Sequence, residues 1–236
     1  MGASSQPHTI LSAEAVSCGG GPSGERELRN VTVSIQEKTL NLLFGEPGCH
    51  LLLRMLGLLE VPEEGDILYR ETPTRSLSEQ ARATIRNQHF GFLFAEPYLL
   101  PSFSVVENVA IPFFRISAVD TGEARKRTRA LLDFVGLGHR EQSAVAELSP
   151  AELQRVSLAR ALVNQPEILM VEAIDRGSDD ANPWAFCGTL RRAAREFAAT
   201  VIVTASSNAL AKTMDNSFEI SRGSIRLVPE EGGVRA

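Results

Sequence analysis

Apolar positions along the chain follow two rhythms. In "TILSAEAVS" (9–17) and "LRNVTVSIQ" (28–36) they alternate with polar ones, which predicts half-buried strands, the second antiparallel. The Gly-rich "CGGGPSGERE" between them reads as a flexible turn, and residues 1–8 as a disordered lead-in. "LNLLFG" (40–45) is a short unbroken apolar run, the pattern of a parallel strand buried on both faces. An apolar helix is predicted from Leu51 to Leu59. In "VPEEGDILYR" a turn at Gly65 precedes a short strand. "SLSEQARATIRNQ" predicts a helix capped by Ser76 or Ser78, with Glu79 in its first turn, and "HFGFLFAE" a strand.

The rhythm then changes. "TGEARKRTRALLDFVGLG" has the period of an amphipathic helix ending at Gly136 or Gly138. "LSPAELQRVSLARALVNQ" predicts a second helix, with Ser149 as N-cap, Pro150 at the first position and Glu152 completing a capping box. "PEILMVEA" and "ATVIVTAS" are apolar strands flanking the helix "WAFCGTLRRAAREFA", and "NSFEISRGSIRLV" closes as a hairpin around Arg222 and Gly223. Strands alternating with helices predict an α/β core with a parallel sheet. A helical insert falls near residues 97–163, and the chain reads as one domain over 1–236.

Composition narrows the function classes. The chain has 236 residues, 43% hydrophobic and 22% charged, as in an ordinary soluble domain. A net charge of -5 points away from a nucleic-acid partner. Its densest basic stretch, Arg125, Lys126, Arg127 and Arg129, reads as a solvated helix face. Cys18, Cys49 and Cys187 are too scattered for a disulfide framework or a zinc site, so a reducing cytoplasm is expected. No segment approaches the roughly 20 apolar residues of a membrane span. The N-terminus lacks the basic start and apolar core of a signal peptide, and Gln6 breaks a myristoylation pattern.

The stretch "LSPAELQRVSLARALVNQPEILMVEA" resembles the signature helix and Walker B strand of ABC transporter ATP-binding subunits, which read close to LSGGQQQRVAIARAL. "FGFLFAEPYLLPSFSVVENVAIP" resembles their Q-loop region, and "FGEPGCHLLLRMLGLL" falls where their Walker A loop belongs. The likeness runs from about Ile10 to Leu227 and is nearest the lipoprotein-release and macrolide-exporter group. It implies a P-loop (RecA-like) core with an antiparallel β portion and a helical subdomain.

The working positions of that family are replaced together. A Walker A loop, G-x-x-x-x-G-K-[ST], wraps phosphate in backbone N–H groups, adds a Lys charge and holds Mg²⁺ by a hydroxyl. Here Gly45 and Gly48 remain around the turn and Cys49 follows. His50 replaces the last glycine, Leu51 the Lys and Leu52 the hydroxyl. Losing one charge-assisted contact costs about 1.5–3 kcal/mol, roughly ten- to a hundred-fold in affinity. Walker B ends in Glu172 and Ala173 where the family has Asp and a general-base Glu, a base worth ~10²–10⁴-fold in rate. Ala95 stands for the Q-loop Gln, with Glu96 beside it. Ala205 replaces the switch His, and Cys18 and Gly19 the adenine-stacking aromatic. The signature becomes Ser149, Pro150, Ala151 and Glu152; Pro150 has no N–H to give, and Glu152 adds negative charge. Asp179 matches the D-loop aspartate.

These replacements lead to the expectation of a pseudo-ATPase with no assignable catalytic residue or metal ligand, needing no cofactor and binding ATP and Mg²⁺ weakly if at all. The resemblance implies docking on an integral-membrane permease through residues near Ala95–Phe114, with Phe103, Val105, Val106 and Phe114 as apolar contacts. It implies a second cassette as partner, either an active ATPase or a copy of this chain. The place expected is cytoplasmic, peripheral on the inner face of the cell membrane. In the family each ATP lies between one subunit's Walker A and the other's signature, so a partner's ATP would meet "LSPAE", with only Ser149 to reach it. Two alternatives stand beside this reading. One is an unconventional ATPase, energising export or lipoprotein release, in which Glu172 or Glu96 takes over metal and water. The other is a soluble regulatory scaffold outside transport.

Overall fold

A computed structural model describes residues 8–20, 26–45, 48–115, 121–175 and 182–229. The strands are β1 (Thr9–Gly20), β2 (Arg26–Gln36), β3 (Leu40–Phe44), β4 (Glu64–Tyr69), β5 (Thr72–Pro73), β6 (Phe90–Leu93), β7 (Ile168–Val171), β8 (Thr200–Ala205), β9 (Asn216–Ser221) and β10 (Ser224–Val228). The helices are α1 (Cys49–Leu56), α2 (Glu79–His89), α3 (Val105–Ala110), α4 (Thr121–Phe134), α5 (Pro150–Leu162) and α6 (Pro183–Glu196). Among the described residues the strands form two sheets, ordered β2-β1-β4-β5 and β10-β9-β3-β8-β7-β6. The first is antiparallel throughout. In the second, β9, β3, β8, β7 and β6 run parallel, and β10 folds back on β9 as a hairpin. The α/β P-loop architecture with an antiparallel portion is therefore present. Every described helix between β6 and β7 belongs to the helical portion, which carries α3, α4 and α5.

The two-residue period of the strands explains how the large sheet is covered on both faces. Leu40, Leu42, Phe44, Leu169, Val171, Val201 and Val203 point into one apolar cluster, with Val105, Val109, Leu158, Leu162 and Leu190 from the helices. Their alternates Leu43, Ile168, Met170 and Ile202 point into the other, with Leu52, Met55 and Leu56 of α1 and the inner face of β1 and β2. Buried Asn41 interrupts β3, and its amide is satisfied by the Thr39 and Val201 carbonyls and by Asn216.

Local signals placed most ends correctly. Ser78 caps α2 by accepting the Ala81 N–H, and Gly136, at φ 73, follows the end of α4. Arg222 and Gly223, both at positive φ, make the β9–β10 turn. Two expectations are corrected. The helix predicted over Leu51–Leu59 runs over Cys49–Leu56, stopping at Gly57. Gly65 lies inside β4, at φ 78, where β1 and β4 shift register; a Cβ there would meet the Glu14 carbonyl oxygen at 2.4 Å. The basic stretch on α4 also divides. Arg127 turns inward over the Phe113 ring, at 5.7 Å from its centroid, while Arg129 pairs with Glu141 at 2.8 Å.

Candidate functional site

The parallel strands β3, β8, β7 and β6 all end on one edge of the sheet, the edge at which open α/β folds build their sites. From it emerge the Gly45 turn, Ala205, Glu172 with Ala173, and Ala95. The positions singled out in the sequence are thus gathered in space. The exceptions are the signature residues, which lie on α5, and Asp179, which lies outside the described residues.

The retained glycines have packing reasons. Gly45 has φ 95, and a Cβ on it would sit 2.3 Å from the Ile220 carbonyl oxygen. Gly48 has φ 108, opens α1 without a side-chain cap, and brings its α-carbon against the Glu27 carbonyl, which a Cβ would approach to 2.8 Å. The Cys49 thiol donates back to the Gly45 carbonyl. Leu51 packs on the apolar cluster together with Cys18. A Cβ on Gly19 would lie 3.3 Å from Leu51 Cδ2, so the leucine reaches the strand where an adenine-stacking aromatic is expected. Leu52 is 0% exposed.

Glu172 joins three elements. Its backbone N–H donates to the Leu93 carbonyl at 2.8 Å, extending the β6–β7 ladder by one residue. One carboxylate oxygen accepts a long hydrogen bond from the Ala95 N–H, 3.4 Å. The other faces Nδ1 of His50 at 3.5 Å, an ion pair when the imidazole is protonated. That Nδ1 is buried and makes no hydrogen bond. The approach of His50 to Glu172 is not indicated by the sequence. Glu96, the alternative carboxylate, is exposed. Beside Glu172 an open groove of about 230 Å³ is lined by Leu53, Arg54, Leu59, Phe92, Leu93, Phe94 and Met170.

At the next position Ala173 is buried at φ 48, with its N–H on Thr204 Oγ1 at 2.8 Å. Ala205 is also buried, its methyl in the core. A link that sequence reasoning missed clamps the ends of β7 and β8: Asp175 accepts the Ser206 N–H at 2.7 Å and the Ser206 hydroxyl. Only strand pairing brings these two together, so no local pattern announces them.

At the signature, Ser149 and Glu152 form a closed capping box. Ser149 donates from its N–H and its hydroxyl to Glu152 Oε2, each at 2.9 Å, and accepts the Glu152 N–H at 3.3 Å. These bonds, and Arg140 at 3.5 Å, hold the Glu152 carboxyl below the usual range. In this chain the Ser149 hydroxyl bonds within its own helix.

Strand β6 and the segment after it present an aromatic ladder. Phe90, Phe92 and Phe94 stack in turn, and Tyr98 meets Phe94 edge-on at 5.8 Å. Tyr98, Leu100 and Phe103 are large exposed apolar side chains. Asn108 holds this run in place, accepting the Leu100 N–H at 2.7 Å and donating to the Leu100, Phe103 and Ser104 carbonyls. Of the expected docking residues, Phe103 is exposed, but Val105, the first residue of α3, is 0% exposed and belongs to the core. Val106 is half-buried against the same cluster. The side chain of Phe114 lies outside the described residues.

Residues 28–172 match the family described as ABC transporter. The chain belongs to the ABC transporter family. It is 33% identical over 205 residues to the lipoprotein-releasing system ATP-binding protein LolD of Saccharophagus degradans, covering 86% of this chain and 90% of that one. To LolD of Myxococcus xanthus it is 36% identical over 200 residues, covering 84% and 89%. The fold matches the dimeric structure of MJ0796, a bacterial ABC transporter cassette, with a TM-score of 0.84 at 24% identity, over 95% of this chain and all of that one. It also matches cbiO1 from Clostridium perfringens, part of the ABC transporter complex cbiONQ, with a TM-score of 0.83 at 22% identity over 93% of this chain. This ABC subunit is thus LolD-like in sequence and has the fold of an ABC transporter cassette. Among its described residues no helix is long and apolar enough to cross a membrane.

Proposed function

We propose that this ABC subunit does not hydrolyse ATP and needs neither ATP nor Mg²⁺ to act. It serves as a structural or regulatory partner of a membrane permease of the lipoprotein-release type, held peripherally on the inner face of the membrane. The whole chain acts as one cassette, its helical part spanning about 97–163, and pairs with a second cassette, an active ATPase or another copy. The observation that carries this reading is the filling of the site by the chain's own groups. Leu51 lies across to Gly19, Leu52 is core, and the Glu172 carboxylate faces His50 and Ala95. These residues do not fit Mg-ATP. His50 stands where the family's loop glycine lets N–H groups close on phosphate, and neither Ala173 nor Ala205 brings a group that acts on water. The relatives' name, a lipoprotein-releasing system ATP-binding protein, supports the transporter type.

The permease-facing surface is assigned to Tyr98, Leu100 and Phe103, the exposed apolar run that Asn108 holds rigid. Exposed aromatic anchors of this kind dominate protein interfaces. A tagged chain is expected to co-sediment with membranes washed in EDTA without nucleotide. The double variant Tyr98→Asp, Phe103→Asp is expected to lose that association about tenfold or more, since each buried unpaired charge opposes docking. A wild-type chain found wholly in the supernatant would favour the soluble-scaffold alternative.

A further inference from the structure

Residues 95–98 join the α/β core to the helical portion, and they are bonded from both sides. On the core side Glu172 accepts the Ala95 N–H. On the helical side Arg160 of α5 donates to the carbonyls of Pro97, at 2.6 Å, and Tyr98, at 2.8 Å. Beyond them Asn108 secures residues 100–104. Every one of these bonds is made by the chain itself.

We propose that Glu172 is a built-in strut. Its carboxylate ties the segment carrying Tyr98 to the β7 edge, so that the exposed Tyr98, Leu100 and Phe103 surface keeps one position relative to the core whether or not a nucleotide is present. The proposal rests on the nucleotide-independent reading above and deepens it, because it makes the docking surface static. Glu172 is a positioning residue here, touching no substrate. Its length matters. The bond to Ala95 is already 3.4 Å, so an aspartate, one methylene shorter, keeps the charge but withdraws the acceptor. The other charged groups around it leave the carboxylate to this task. Arg54, which lines the same groove, is paired with Glu60, and His50 stands at 3.5 Å on the opposite oxygen.

Amide hydrogen exchange, followed by NMR on the nucleotide-free chain, tests the strut. A bond to a charged acceptor is worth enough to slow the Ala95 amide about tenfold. Wild type is expected to show that protection. Glu172→Asp and Glu172→Ala should both lose it, while Glu172→Gln, which keeps length and an acceptor but not the charge, retains part of it. Protected amides of α5 should be unchanged in all four proteins, which separates loss of the strut from loss of the fold. Equal Ala95 exchange in wild type and Glu172→Ala would overturn the proposal, as would full protection in Glu172→Asp. Adding Mg-ATP to wild type is a separate arm. A change there overturns the nucleotide-independent reading, whereas the dependence on Glu172 is read without nucleotide.

Discussion

Leu52→Ser is expected to destabilise this chain by about 3–8 kcal/mol, although it restores the residue type that the family keeps at this position. Leu52 is 0% exposed and packs with Met55, Leu56 and the inner face of the antiparallel sheet. Truncating a buried leucine costs about 2–5 kcal/mol, and a buried hydroxyl left without a partner adds about 1–3 kcal/mol. Against a typical domain stability of about 5–15 kcal/mol this is a large fraction. The urea midpoint should fall steeply with little change in slope. A midpoint close to wild type would mean that the side chain at 52 faces an open site and that the loop has kept room for a metal ligand. Leu51, by contrast, is only half-buried, and a lysine there can extend its charged end to water along an apolar stem.

Gly45→Ala is the second large effect, expected at about 3–5 kcal/mol. The added methyl would meet the Ile220 carbonyl oxygen at 2.3 Å, and φ is 95, a region costly to any L side chain. Neither partner can yield cheaply, because β3 and β9 are hydrogen-bonded neighbours at Phe44 and Glu219. Gly48→Ala is expected to cost less, since its nearest contacts lie at 2.8 Å and one of them is the end of the Leu28 side chain. If these glycines were kept for phosphate, substitution would spare the fold and alter only ligand binding. Thermal denaturation separates the two, and an unchanged Tm for Gly45→Ala would contradict the packing role.

What could be read from the sequence was what neighbours in sequence decide. The Ser149, Pro150 and Glu152 pattern gave the start of α5 because its whole capping box lies within four residues. "LNLLF" gave a buried parallel strand because, Asn41 apart, it is apolar on both faces. The beginning of α1 was missed because Gly48 starts that helix through its backbone angle, with no side-chain cap to announce it. Gly65 was read as a turn because its bulge exists only opposite Glu14 and Ala15 of β1. The site divides the same way. Each replacement was visible singly, but only the fold places His50 and Ala95 around the Glu172 carboxylate, and Asp175 on Ser206. Composition and spacing therefore identified what the site lacks, whereas its internal bonding came from the pairing of β6, β7 and β8.

The central claim is that the chain's own side chains have replaced nucleotide at this site. Isothermal titration calorimetry of the purified chain with Mg-ATP tests it most directly. The account predicts no saturable heat at nucleotide concentrations up to about 1 mM, equivalent to binding weaker than about 4 kcal/mol. A saturable isotherm with a micromolar Kd would contradict it.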